Sequence, residues 1–172
     1  MNHKRTNGFT LIELMVTLAV AAILVTVAIP GFRSLIQNNR AATQSNELLS
    51  GLMLARSEAV KRGVRVSICS STDEATCAAS TNWATGWIVF TDDSGTSGSK
   101  DGTDAVIRAW DTLKGAPTLT SATNNNIQFL RSGLVETADT FTYLAPDCTG
   151  EQKRIINITA TGRAGVTTAP CT

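Results

Sequence analysis

The sequence predicts an α+β fold in which one long N-terminal helix is followed by an antiparallel β-sheet domain. Three observations predict it: an apolar run over residues 9–29, a helical apolar period that continues to residue 62, and short β-prone segments after residue 63. The chain has 172 residues, which leaves room for one such helix and one modest domain. Hydrophobic residues make up 42%, a value that excludes a disordered chain.

The first half of the predicted helix is typical of a membrane span. Residues 9–29 contain one charge and neither glycine nor proline, and a helix of this length covers about 31 Å. A cleaved secretory signal is the alternative, because Lys4 and Arg5 form a basic start. The apolar run is longer than such signals, and Thr26-Val27-Ala28 offers no A-x-A cleavage site. We therefore expect a retained transmembrane helix over residues 9–29.

The second half, residues 30–62, has the pattern of an amphipathic helix. Pro30 and Gly31 predict a kink but not an end, and Gly63 predicts the C-terminus. Apolar residues then recur near the helical period, which predicts that this half packs against a sheet. These residues are Leu35, Ile36, Ala42, Leu48, Leu49, Leu52, Met53, Ala59 and Val60.

Residues 63–172 are predicted to form a β-rich domain. No helical pattern separates the β-prone segments, so antiparallel pairing is the economical connection. The residues from Asp92 to Asp104 and from Thr120 to Asn126 are interpreted as hairpin loops. The candidate strands are Val64 to Ser70, Gly86 to Thr91, Ala105 to Trp110, Ile127 to Leu130, Thr140 to Leu144, Arg154 to Thr159 and Gly162 to Thr167.

Four cysteines lie in this domain, and their even number predicts two disulfides in an exported protein. Of the three connectivities, we favour the two pairs nearest in sequence, Cys69 with Cys77 and Cys148 with Cys171. Zinc binding is the alternative. It is disfavoured because no C-x₂₋₄-C pair occurs and the one histidine, His3, precedes the apolar run.

Glu13 is the one charge in the apolar run. A carboxylate within a membrane helix costs about 2.5–3.5 kcal/mol at the bilayer centre, so it usually has a partner. The alternative is a glutamate of no functional consequence that reaches the membrane surface. Cleavage between Gly8 and Phe9 would create an α-ammonium group four residues from Glu13, which could neutralise the carboxylate.

These N-terminal residues resemble a known processing signal. Lys4-Arg5-Thr6-Asn7-Gly8 followed by Phe9-Thr10-Leu11-Ile12-Glu13-Leu14 closely resembles the class III signal of type IV pilins and type II secretion pseudopilins. The resemblance implies a type IV pilin-like fold and a leader over residues 1–8. It also implies that a prepilin peptidase cuts after Gly8 and methylates the Phe9 amine, and that Glu13 pairs with the terminal amine of an adjacent subunit. Removal of Lys4 and Arg5 changes the formal net charge from +1 to −1, so a globally basic nucleic-acid binder is not indicated.

Over almost its whole length, the chain also resembles a narrower group, the FimT/FimU minor pilins and GspH-type pseudopilins. This resemblance implies a minor pilin that acts in type IV pilus biogenesis at the tip or in a priming complex. The alternatives are a DNA-binding minor pilin for natural transformation and a minor pseudopilin of type II secretion. The residues that carry it are Ala55-Arg56-Ser57-Glu58-Ala59, Val66-Ser67-Ile68-Cys69, Gly86 to Asp92, Ile107-Arg108-Ala109-Trp110, Ile127-Gln128-Phe129 and Gly162-Arg163.

The same resemblance implies the partners and the location of the chain. The expected partners are prepilin peptidase, other minor and major pilins, and the membrane. Before assembly the chain would lie in the bacterial inner membrane with a single pass and a periplasmic C-terminal domain. After assembly it would lie in a pilus or pseudopilus.

Neither catalytic residues nor a cofactor are expected. The chain after residue 8 has no histidine, Ser57 has no base at a recognisable spacing, and the cysteines are better assigned to disulfides. Asp92, Asp93, Asp101 and Asp104 could hold calcium through oxygen ligands. Their spacing does not match an EF-hand, so an acidic loop without metal is the favoured interpretation.

DNA is a further partner that we weigh but do not favour. FimT-type proteins that capture DNA carry a C-terminal G-R-x-R motif, and this chain has Gly162-Arg163-Ala164-Gly165, so the second arginine is absent. Each lost phosphate contact weakens binding. Lys153, Arg154 and Arg131 are candidate substitutes. Solvated charges on the domain surface are the favoured alternative.

Overall fold

A computed structural model describes residues 9–171, apart from the side chains at positions 27 and 30. The predicted leader over residues 1–8, including Gly8, lies outside the described residues. The elements are α1 (Leu11–Arg62), β1 (Val66–Ser70), β2 (Trp87–Thr91), β3 (Val106–Trp110), β4 (Thr118–Ser121), β5 (Asn126–Phe129), β6 (Asp139–Leu144), β7 (Lys153–Ile158) and β8 (Ala164–Ala169). The predicted α+β fold class, with a long N-terminal helix and antiparallel sheets, is confirmed.

Both ends of α1 follow from local chemistry. The Thr10 hydroxyl accepts a hydrogen bond from the Glu13 amide at 3.2 Å, as an N-cap does. Gly63 has φ of +66° and donates its amide to the Ala59 carbonyl, which ends the helix. The helix continues through residues 30 and 31 without an end, as predicted. The chain divides into two compact units within α1, one up to Ile36 and one from Gln37 onward.

The second unit contains two four-stranded sheets. One has the strand order β3-β2-β1-β5 and the other β4-β6-β7-β8. Every strand pairing in them is antiparallel, and a register shift between Val89 and Phe90 interrupts the β2–β3 pair. β1 pairs with β5 and β4 with β6, so the connections join strands that are not consecutive in sequence.

The core of this unit is shared by the helix and both sheets. Residues 37–62 contribute the fully buried side chains of Ala41, Leu48, Leu52, Ala55 and Ala59. The Trp83 ring meets Phe141 edge to face with 4.9 Å between centroids, and the Trp87 ring stacks on Trp110 at 5.9 Å. These aromatic contacts join segments distant in sequence, as large core anchors do.

One predicted hairpin loop is wrong. The residues from Thr120 to Asn126 were expected to join two paired strands, but Thr120 and Ser121 belong to β4 whereas Asn126 begins β5 in the other sheet. β4 has the short sequence TLTS with one large apolar residue, Leu119. The alternation of apolar and polar residues that indicates a strand is therefore too short to be recognised in the sequence. Its last side chain, Ser121, is buried because its hydroxyl binds Asp139 at 2.5 Å.

The structure contains two disulfides, Cys69–Cys77 and Cys148–Cys171. This is the pairing predicted from the sequence. The first closes the loop after β1. The second holds the segment after β8, where the Cys171 amide also donates to the Gly150 carbonyl at 2.9 Å.

We predict that Cys148→Ser and Cys171→Ser each lower the thermal midpoint of the protein by a similar amount. The lost bridge joins residues 23 apart, for which the chain-entropy model gives about 3.5 kcal/mol. Because either substitution removes the same bridge, the double variant should be little worse than either single one. Thermal melts of the three variants check this, and additive losses in the double variant would contradict it.

Arg154 is a buried cation that holds two segments together. Its side chain is 6% exposed and donates to the Asn38 side-chain carbonyl, the Glu151 carbonyl and the Lys153 carbonyl. Charge-assisted hydrogen bonds of this kind are stronger than neutral ones. Arg154 therefore links the helix to the start of β7.

We predict that Arg154→Ala destabilises the domain by about 1.5–3 kcal/mol, because the charge-assisted hydrogen bonds of the buried guanidinium group to Asn38, Glu151 and Lys153 are lost. Arg163→Ala is the matched control, since Arg163 is an exposed arginine in the turn that follows the same strand, β7. It should change the thermal midpoint little. Equal losses in the two variants would show that the Arg154 contacts contribute nothing beyond those of a surface charge.

Candidate functional site

The N-terminal unit presents an apolar helical surface. Large apolar side chains from Leu11 to Ile36 are exposed, with Leu11 at 76% and Ile36 at 51%. By length and composition this part of α1 is able to cross a membrane. An apolar surface of this extent needs lipid or other helices to cover it.

Glu13 is the acidic residue in the first turn of this helix. Its side chain is exposed, and its carboxylate forms no ion pair with any of residues 9–171. Phe9 is 85% exposed and lies just before the Thr10 cap. The residues predicted to act in processing and assembly are thus close in sequence, although Gly8 is outside the part that the structure describes.

The acidic loop between β2 and β3 uses its carboxylates to order its own backbone. Asp92 accepts hydrogen bonds from the Ser67 hydroxyl at 2.6 Å and the Gly98 amide at 2.9 Å. Asp104 accepts from the Asp93 amide at 3.1 Å and from the Ser94 hydroxyl at 3.0 Å. Within residues 9–171 no three His, Cys, Asp or Glu side chains are grouped to hold a metal ion. The contacts give this loop a structural role.

Two of the candidate DNA-binding arginines lie on turns that contact each other. The Val135 amide donates to the Ala160 carbonyl at 2.9 Å. A Cβ on Gly162 would stand 2.1 Å from the Gly133 carbonyl oxygen, so only glycine allows this approach. Arg131 and Arg163 flank these two glycines and are both exposed. The contact brings them to one end of the domain.

The other two candidates lie elsewhere. Lys153 and Arg154 begin β7, whereas the turn with Arg163 follows the end of that strand, about 20 Å away by strand geometry. Arg154 is committed to the internal contacts described above, and Lys153 is only partly exposed. The structure therefore does not bring the four candidates together.

Sequence reasoning missed two arginines near the first pair. Arg56 of α1 donates from Nη2 to the Thr161 carbonyl at 3.1 Å, at the β7–β8 turn. Arg65 lies just before β1 and lines a cavity together with Arg131. Only the three-dimensional arrangement relates these residues, since 66 positions of sequence separate Arg65 from Arg131.

Two other carboxyl groups of the described residues, those of Glu58 and Glu74, interact with charged neighbours. Glu58 pairs with Arg62 at 2.5 Å and with Lys61 at 3.7 Å near the end of α1, and the hydrogen bond from Arg62 lowers the pKa of Glu58. A hydrogen bond to Asp111 raises the pKa of Glu74, aided by repulsion between the two charges. The Glu74 carboxyl group is exposed to water, whereas the Glu58 side chain is only 13% exposed. These interactions affect local structure only, and they do not form a common site.

The chain matches models of known protein families. The model of the family "Type II transport protein GspH" matches residues 44–162, and that of the "Prokaryotic N-terminal methylation motif" matches residues 3–29. The methylation motif implies processing by a prepilin peptidase. No curated protein matches the chain.

Solved structures with the same fold are minor pilins and a pseudopilin. The type IV minor pilin FimU of Pseudomonas aeruginosa PAO1 is 24% identical over 75% of this chain and 89% of its own, with a TM-score of 0.59. A second crystal form of FimU gives a TM-score of 0.55, with 73% of this chain and 91% of that chain covered at 24% identity. The minor pseudopilin EpsH of Vibrio cholerae is 15% identical over 75% of this chain and 97% of its own, with a TM-score of 0.51.

The family match covers well over half of the chain, including most of the amphipathic helix and the strands up to β7. The exposed apolar segment and the methylation motif precede the residues that the GspH family model matches. This order is the one expected of a subunit that is processed at its N-terminus and then assembled. The chain belongs to the GspH family and is a type IV pilin-like minor pilin or pseudopilin of a type IV pilus or type II secretion system.

Proposed function

We propose that this chain is a minor pilin of a type IV pilus that acts in pilus biogenesis, at the tip or in a priming complex. The observation that carries the proposal is the exposed apolar helix with one unpaired carboxylate, Glu13, near its start. Such a segment has no use in a protein that acts alone in water. It suits a subunit that moves from lipid into a bundle of similar helices.

The position of Glu13 gives this assembly step a charge requirement. Once the chain is cut before Phe9, the new α-ammonium lies four residues from Glu13, or about 6 Å along a helix axis. An unpaired carboxylate is costly in a medium of low dielectric constant, and an ammonium from a neighbouring subunit would neutralise it. Pairing of this kind fixes the axial position at which a new subunit joins the others.

The test distinguishes a type IV pilus from type II secretion, in which a pseudopilin of the same family would act. Deletion of the gene should reduce surface pili and leave type II secretion unchanged. The measurement is piliation by electron microscopy and secreted protein in the medium, both in the same strain. Loss of secretion with normal pili would contradict the proposal and assign the chain to the secretion system.

The same deletion strain separates processing from assembly. Complementation with Gly8→Val should leave uncut precursor in the membrane, because the family signal requires glycine before the cut. Glu13→Ala should be cut normally but fail to restore pili, since it lacks the partner for a neighbour's ammonium. Glu47→Ala, an exposed glutamate in the second unit, is the matched control and should restore pili. Restoration by Glu13→Ala would show that the carboxylate is merely tolerated.

DNA binding is a second candidate function, favoured by the contact between the two arginine-bearing turns. The exposed residues Arg131 and Arg163 lie at one end of the domain, where a phosphate backbone could meet both. The second arginine of the FimT-type motif is absent, so this surface offers fewer phosphate contacts.

If this surface binds DNA, the purified full-length protein in detergent should retard duplex DNA in a salt-dependent way. The Arg131→Gln, Arg163→Gln double variant should then bind more weakly, and its log Kd against log salt should have a slope smaller by about 2. Arg108→Gln, on the exposed side of β3, is the control. No retardation, or equal slopes for all proteins, would remove DNA as a partner of this surface.

A further inference from the structure

Each of the two sheets ends in two edge strands, and the edges of β3, β4 and β5 are covered or interrupted. The segment before β2 bonds to the outer side of β4, where the Trp83 amide donates to the Leu119 carbonyl at 2.7 Å. The segment after β5 turns back on that strand, and the Glu136 amide donates to the Gln128 carbonyl at 3.1 Å. β3 carries the exposed charge of Arg108, and the register shift interrupts its pairing with β2. Charges and irregularities of this kind prevent further pairing at an edge.

The edge of β8 is open. This strand of six residues pairs with β7 on one side without a register shift, and none of residues 9–171 pairs with it on the other side. Gly165, Thr167 and Thr168 are exposed. The strand has the sequence AGVTTA, which contains neither a charged residue nor proline. It therefore lacks the features that usually protect the edge of a sheet.

The β7–β8 turn shows which backbone groups of β8 face outward. The Thr159 amide donates to the Arg163 carbonyl at 2.9 Å, so these two residues form a hydrogen-bonded pair. In an antiparallel ladder the two kinds of pair alternate, and the β7–β8 register continues without a gap from this turn. Gly165, Thr167 and Ala169 therefore bond to β7. The residues that direct their N–H and C=O groups toward the open edge are Ala164, Val166 and Thr168.

The open edge is complementary to itself. Two copies of β8 that run antiparallel about a two-fold axis bring Val166 opposite its own copy and Ala164 opposite Thr168. Each outward N–H of one strand then meets an outward C=O of the other. The charged residue nearest to the strand, Arg163, lies opposite Ala169, so no like charges face each other along the two strands. Neither the register nor the charge opposes this contact.

We propose that two copies of this chain associate through β8 and join their sheets across a two-fold axis. The edge offers backbone hydrogen bonds, so its ligand is an extended strand, and β8 itself satisfies every outward group of Ala164, Val166 and Thr168. The contact is isologous and closes on itself, which also hides this edge from further strand addition. One short strand makes a small interface, so the association is weak and depends on protein concentration.

Amide hydrogen exchange tests the pairing on the purified full-length protein in detergent, at low and at high protein concentration. A rise in concentration should slow exchange by about tenfold at Ala164, Val166 and Thr168, since each amide gains an acceptor. The amides of Gly165 and Thr167 should change little, because they already bond to β7. Association through the apolar helix alone would not produce this alternation.

Proline variants provide the matched test. Thr168→Pro and Ala164→Pro each remove an outward N–H, at positions where an edge strand tolerates proline. Each should abolish the concentration dependence at the remaining outward amides, whereas Thr168→Ala keeps the N–H and should retain it. Thermal melts establish that the variants fold. The two proline variants lie at opposite ends of β8, so either one alone is sufficient for the test.

Three results would overturn the proposal. They are uniform slowing along β8, no slowing at any concentration, and loss of the effect in Thr168→Ala, which would assign the contact to the threonine side chain. These readouts use the isolated protein and do not rest on the proposed function, so their outcome is independent of the filament that the chain enters.

Discussion

The second unit depends on the burial of one face of the helix over residues 37–62. That face is made largely of small side chains, and Gly51 continues it where a Cβ would stand 3.0 Å from the Trp87 indole nitrogen and 3.3 Å from Ile68. Glycine within a helix costs about 1 kcal/mol relative to alanine, so its presence here reflects the space that Trp87 requires. The small side chains on its buried face let the helix pack closely against both sheets.

Of the polar side chains buried on the same face, Gln44 finds partners across the core, whereas the Ser45 hydroxyl has none among residues 9–171. Gln44 accepts from the Tyr143 hydroxyl at 2.8 Å and donates to the Lys114 carbonyl at 2.9 Å. Burial raises the pKa of Tyr143, which keeps the hydroxyl protonated as a donor. A buried network of this kind favours one register of the helix against β6, since a shift by one turn would leave several groups unpaired. Packing and hydrogen bonding therefore select the same arrangement.

Much of the fold could be predicted from local sequence. The parts that could not be predicted have definite physical causes. β2 was predicted within one residue because WIVFT is a continuous β-prone run, and the disulfides because each cysteine had a near partner. The partition of strands between two sheets was not predicted, since the paired residues of β1 and β5 are 57 to 63 positions apart and no local pattern records such a pairing. The same limit hid the Arg65–Arg131 cavity. Glu13, in contrast, could be singled out from sequence, because a lone charge in an apolar run is conspicuous without any tertiary information.

The apolar helix and the charged groups of the second unit contribute differently to the recognition of a partner. An apolar helix attracts lipid and other apolar helices without much discrimination, because the hydrophobic effect is not directional. Discrimination between partners needs directional groups whose mismatch is costly, such as a guanidinium edge or a like-charge contact. Such groups lie in the second unit, at the cavity with Arg65 and Arg131 and at the turn with Arg163. An apolar helix therefore contributes affinity without selectivity, whereas charged side chains contribute selectivity.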